Sequence, residues 1–212
     1  TYLNELRLQF GHREYFEPTN GNAMEEWFSS GNTLKTGSQT VGDLESAGSV
    51  AVLFGSASGL VTAGSLALTQ DSLPAGSGES AEAYDQFGGA LASNGGSGLA
   101  VGTPGEDFLL PNEQGAGLVH VFGRSGAGNA LNTVTDRTQN DFLAECGAFD
   151  GNELNEFWGS HLVFGQVSAS APSLIVSGQL ESFGGVDYAG RVTVMFRAAS
   201  GCFYQGTSGV AG

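Results

Sequence analysis

The chain has 212 residues, of which 40% are hydrophobic and 10% aromatic, and it carries 35 glycines. Apolar content at that level argues against wholesale disorder, and glycines without a three-residue period exclude collagen. Seven basic residues against 22 acidic ones leave a net charge of −15, which repels phosphate backbones and anionic lipid and so excludes nucleic acid and membrane surfaces as partners. What remains is a cation, a basic protein surface, a neutral glycan, or acidity that serves solubility alone. No apolar run approaches a membrane span of about 20 residues. Thr1 begins no secretory leader, so the sequence reads as a mature chain or a fragment.

Glycine costs about 1 kcal/mol relative to alanine inside a helix. So many glycines among Val, Leu, Ala and Phe predict short strands joined by tight turns. In chain order, residues 1–23 form an N-terminal segment in which Leu6, Leu8 and Phe10 alternate with Arg7 and Gln9, the pattern of a closing or edge strand. A succession of three motifs then recurs three times. In residues 24–80 it runs Glu25-Glu26-Trp27-Phe28, then a worn Leu34-Lys35-Thr36-Gly37-Ser38-Gln39, then Ala47-Gly48-Ser49-Val50-Ala51-Val52-Leu53-Phe54. In residues 81–150 it runs Asp85-Gln86-Phe87-Gly88-Gly89-Ala90-Leu91, then Leu99-Ala100-Val101-Gly102-Thr103-Pro104, then Ala116-Gly117-Leu118-Val119-His120-Val121-Phe122. Residues 151–212 give Asn155-Glu156-Phe157-Trp158-Gly159-Ser160-His161-Leu162, then Leu174-Ile175-Val176-Ser177-Gly178-Gln179, then Ala189-Gly190-Arg191-Val192-Thr193-Val194-Met195-Phe196. Alternation in the last motif sets Val192, Val194 and Phe196 on one face of a strand and Arg191, Thr193 and Met195 on the other. No unit has room for a crossover helix, so each predicts an antiparallel meander of roughly 70 residues, the size of a propeller blade.

The order "FGGAL … LAVGTPGED … GAGLVHVF" resembles the FG-GAP repeat of integrin α-subunit heads and of many secreted bacterial proteins. Phe87-Gly88 stands for the FG and Gly102-Thr103-Pro104 for the GAP, with Trp158-Gly159 in the FG place of the third unit. "GSASGL" at residues 55–60 and "TQD" at 69–71 are also similar to the bacterial versions. The resemblance implies an all-β fold, a β-propeller with about three blades in this chain. The FG and GAP turns would pack between neighbouring blades, with the acids behind them on exposed loops. Glycine permits close approach, proline presets the turn and the aromatic fills the gap between sheets. It also implies an extracellular location. There Cys146 and Cys202, which lack CxxC or zinc-type spacing, are favoured as a disulfide over two buried thiols.

Two features depart from that pattern. Many members carry a calcium loop, Asp-x-Asp/Asn-x-Asp-Gly, between the FG and GAP segments. Here residues 29–33, 93–97 and 166–173 hold no carboxylate, so no cofactor is expected and calcium is disfavoured. Three units also fall short of a six- or seven-bladed ring, and a fan of three exposes an apolar face at each end. The ends are expected to meet further copies, a protein partner or a missing part of the chain, with residues 1–23 as the competing cover.

Signatures of nucleophilic, zinc-dependent, dinucleotide and phosphate-loop chemistry do not occur. His120 and His161 read as packing residues within the repeat. Acids recur beside the turns as Asp43 with Glu45, Glu106 with Asp107, and Glu181 with Asp187. A catalytic carboxylate pair is needed only once, so these read as solvated loop acids first and as ligand or cation contacts second. Glu145, Asp150, Glu153 and Glu156 read as an acidic loop. Tyr84, Tyr188, Trp27 and Trp158 are candidates for stacking on sugars, with Trp158 assigned to packing by its place in the repeat. The expected function is non-enzymatic adhesion or binding of protein or glycan outside the cell. The alternatives are a structural subunit of an extracellular filament or surface layer, and the accessory domain of a secreted hydrolase.

Overall fold

A computed structural model describes residues 15–19, 23–29, 40–56, 59–73, 80–93, 98–108, 114–124, 131–137, 154–168, 171–180, 182, 188–197 and 203–207. Among these the fold is all-β: the only helical element is a single 3-10 turn at Gln70–Ser72. Sheet 1 contains β1 (Tyr15–Thr19), β2 (Ala23–Ser29), β3 (Val50–Ser56) and β4 (Gly59–Leu68). Sheet 2 contains β5 (Ala90–Ser93), β6 (Gly98–Thr103), β7 (Leu118–Arg124) and β8 (Leu131–Arg137). Sheet 3 contains β9 (Trp158–Ser168), β10 (Ala171–Gly178), β11 (Arg191–Arg197) and β12 (Phe203–Thr207). Each is antiparallel, and in each the strands pair in chain order. The short connections after β1, β3, β5, β7, β9 and β11 permit nothing else, because a parallel neighbour needs a crossover of a dozen residues or more.

The sheets stack in chain order with sheet 2 in the middle. One cluster joins Val50 and Val52 of sheet 1 to Leu99, Val101 and Phe122 of sheet 2, with Phe87 buried among them. A second joins Ala92, Ala100 and Val119 of sheet 2 to Trp158, Leu162, Leu174 and Val176 of sheet 3. Strand β6 therefore sends Leu99 and Val101 to one neighbour and Ala100 to the other. A strand buried on both faces has no place for polar alternation, which explains the unbroken "LAV". Ala100 is small because sheet 3 brings an indole, that of Trp158, against that face.

Strand β11 shows the alternation expected of it, with an unexpected side turned inward. Thr193 is fully buried and pairs with Val176, on the face toward sheet 2. Val192, on the other face, is 52% exposed. Two further expectations are corrected by register. Glu25, Glu26, Trp27 and Phe28 lie within β2, paired with residues 51–54 of β3. They occupy the second strand of their sheet, whereas Phe87 and Trp158 stand at the entry to the first strand of theirs. Residues 15–19, inside the N-terminal segment, form the edge strand of sheet 1. In the stretch 166–173, residues 166–168 extend β9 and 171–173 open β10, so the presumed loop site is mostly a hairpin.

Candidate functional site: the joint between units

Successive units meet through backbone before they meet through side chains. At the first joint the N–H groups of Tyr84, Gln86 and Phe87 donate to the carbonyls of Glu45, Ser46 and Ala47 at 2.8, 3.0 and 2.8 Å. At the second joint Asn155, Phe157 and Trp158 donate to Gln114, Gly115 and Ala116 at 2.7, 2.9 and 3.0 Å. The spacing along both strands of the contact is the same, so the repeat copies a joint as well as a sheet.

Left-handed backbone makes the approach possible. On the donating side φ is +75, +59 and +88° at Tyr84, Gln86 and Gly88, and +59, +52 and +88° at Asn155, Phe157 and Gly159. On the accepting side Ser46 and Gly115 lie at +58 and +61°, followed by Gly48 and Gly117 at +87 and +86°. Four non-glycine residues hold positive φ on the donating side alone, an arrangement that persists only where surrounding contacts over-determine it. The turn at residues 102–105 closes the joint from behind. Gly88 and Gly89 both donate to the Gly102 carbonyl, and Gly105 donates to that of Asp85. A Cβ on Gly102 would lie 2.1 Å from the Gly159 carbonyl oxygen, so sheets 2 and 3 touch there backbone to backbone. These contacts place Phe87, Gly88, Gly102, Trp158 and Gly159 in the joints, with Pro104 packed against Gly89.

The acids behave differently from one another. Glu106 is not on an exposed loop: it is 1% exposed, and its Oε2 accepts a 2.5 Å bond from the Gln70 amide, also buried. Its carbonyl accepts the Gly117 N–H at 3.1 Å. Asp43 is exposed, and exposed Asp107 accepts the Gly115 N–H at 2.6 Å. Glu181 and Asp187 lie outside the described residues, as do Cys146 and Cys202 and, from the acidic stretch, Glu145, Asp150 and Glu153. Glu156 lies in the turn ahead of β9 but is buried there, two residues before Trp158, just as Asp85 is buried two residues before Phe87. Sequence reasoning passed over that pair, although an acid two positions ahead of each interunit aromatic was a legible signal. Among the described residues no three of His, Cys, Asp and Glu gather.

Of the aromatics, Trp158 is fully buried, while Tyr84 and Tyr188 are 56% and 67% exposed. His120 is buried in β7 with its ring edge-on to Phe87, centroids 5.3 Å apart. His161 is exposed, its Nδ1 3.2 Å from the Ser177 hydroxyl. A groove of about 230 Å³ lies beside the second joint, lined by Gln86, Pro104, Phe157, Ser160, Gln179 and Leu180. Its lining combines amides, an aromatic ring and apolar carbon without an ionisable group, which suits a neutral polar ligand.

Across the first joint the Tyr84 hydroxyl donates to Glu45 Oε2 at 2.8 Å. That hydrogen bond, followed by the carboxylate's charge, raises the phenol above its usual value. The folded state then holds this proton more tightly than the unfolded chain does. The contribution to stability is intact below pH about 10 and is lost as pH rises through Tyr84's raised value. An ultraviolet titration is expected to show the Tyr84 phenol ionising late. Glu45→Gln should lower it toward the usual tyrosine value; an unchanged titration would remove the pair.

No protein-family model matches the chain, and comparison with curated proteins finds no match.

Proposed function

We propose that this chain is a segment of an extracellular β-propeller of the FG-GAP type, whose role is adhesion or the binding of protein or glycan rather than catalysis. One observation carries the reading: two joints of the same backbone geometry link three four-stranded meanders stacked face to face. Such a stack is a rigid support, and binding residues concentrate on loops held by rigid supports. A surface of net charge −15 suits basic protein or neutral sugar. No helix among the described residues is long and apolar enough to cross a membrane.

The test is an immobilised full chain challenged with a glycan array and with purified basic cell-surface proteins. Saturable binding to a glycan or a protein, with the bound molecule recovered unaltered, is the expected result. Cleavage of an offered glycan by the chain alone, or saturation with none of them, would overturn the reading. A structural subunit of an extracellular assembly is the second reading, supported by the exposed apolar side chains of sheet 3, Val163 and Val192.

A further inference from the structure

The accepting half of the joint occurs three times in the chain, and the third copy faces outward. Ala47-Gly48, Ala116-Gly117 and Ala189-Gly190 share one position in the repeat. The third has the conformation of the filled ones: Tyr188 lies at φ +57° and Gly190 at +73°. At Gly48 and Gly117 a Cβ would strike the incoming backbone of Phe87 or Trp158 at 2.2 Å. At Gly190 the nearest atoms among the described residues belong to the unit itself, Gln179 first, at 3.1 Å. The sheet face beside it repeats the same contrast. Val50 and Val119 are 1% and 0% exposed beneath the next sheet, whereas Val192, their equivalent, is 52% exposed. Val163, 39% exposed, and half-buried Ile175, directly paired with it, continue that face.

Each filled socket receives an aromatic residue followed by glycine, ahead of the first strand of the next unit. Sheet 1 begins at β1, and Phe10-Gly11 stand just ahead of it in the sequence. The four residues from Gly11 to Tyr15 reach at most about 14 Å. Sheets 1 and 3 flank sheet 2, and two face-to-face spacings are about 20 Å, more than that reach.

We propose that the Tyr188-Ala189-Gly190 edge and the outward face of sheet 3 form a socket for the first unit of a second copy of this chain, entered by that copy's Phe10-Gly11. The proposal rests on the repeat reading above. The contact is head-to-tail, so it generates closed rings or open chains according to the rotation per copy. Both partners are acidic, and the joint itself is backbone and apolar. Association therefore strengthens with salt, as the Debye length falls from about 10 Å at 0.1 M to about 3 Å at 1 M.

Sedimentation velocity on the full chain over a range of concentrations, at low and high salt, tests this. The expected result is concentration-dependent assembly that increases with salt and weakens about tenfold or more in Val192→Lys and in Phe10→Ser. Val192 is exposed in the single copy, so its lysine variant keeps its fold. Mixing the two variants should restore association, because one retains the socket and the other the entering segment. A monomer at every concentration and salt overturns the proposal. So does wild-type assembly by either variant, which for Phe10→Ser alone would mean that sheet 3 faces pair with each other, or failure of the mixture to restore association. Ligand binding by a monomeric chain would leave the proposed function standing while this inference fell.

Discussion

Trp158→Ala is expected to lower the free energy of unfolding by about 3–5 kcal/mol, a large share of the about 5–15 kcal/mol a domain has. The indole is fully buried between sheets 2 and 3, packed with Ala92, Ala100, Val119, Leu162, Leu174 and Val176. Truncation removes its transfer free energy and leaves a cavity. The cavity cannot collapse easily, because the Trp158 backbone is pinned to Ala116 at 3.0 Å and the neighbouring glycines already touch. Trp158→Phe should recover much of the loss, since Phe87 fills the equivalent place at the first joint. Urea denaturation followed by circular dichroism reads both. Alanine and phenylalanine variants that match the wild-type midpoint would mean that sheets 2 and 3 do not pack as described.

Gly117→Ala is expected to cost nearly as much while deleting nothing. Its φ of +86° penalises any side chain by about 1–2 kcal/mol. The added methyl would lie 2.2 Å from the Trp158 carbonyl oxygen and 2.5 Å from its nitrogen. Those atoms are backbone in a hydrogen-bonded joint and cannot swing aside, so overpacking adds about 1–3 kcal/mol. Gly42→Ala separates the two contributions. Gly42 also has positive φ, +59°, but nothing lies within 4 Å of its Cβ position. Only the conformational part should appear there. Equal losses in the two variants, measured by the same denaturation, would show that the joint at Gly117 is not closed. The Gly117→Ala and Trp158→Ala effects should not add, because both act on one contact.

Strand content, strand order within a unit and the aromatic–glycine turns were legible in the sequence because they are local. Period-two alternation, glycine and proline punctuation and a threefold copy of the same motifs specify an antiparallel meander without reference to anything distant. The packing role of Trp158 was legible for the same reason, as its place in the repeat matched Phe87. What the tertiary structure decided was which face of each strand has a neighbour. Alternation along β11 is symmetric: it groups Val192 apart from Thr193 but does not say which group is covered. The position of sheet 2 buries the threonine and exposes the valine. Glu25-Glu26-Trp27-Phe28 was matched to the Phe87 and Trp158 motifs by its place in the repeat, and only pairing with β3 assigns it to β2. Glu106 follows a Pro-Gly turn and reads locally as solvated. It is buried because Gln70, 36 residues earlier, delivers an amide to it. Burial is a sum over contacts between segments far apart in the chain, and residue type at one position carries no record of them.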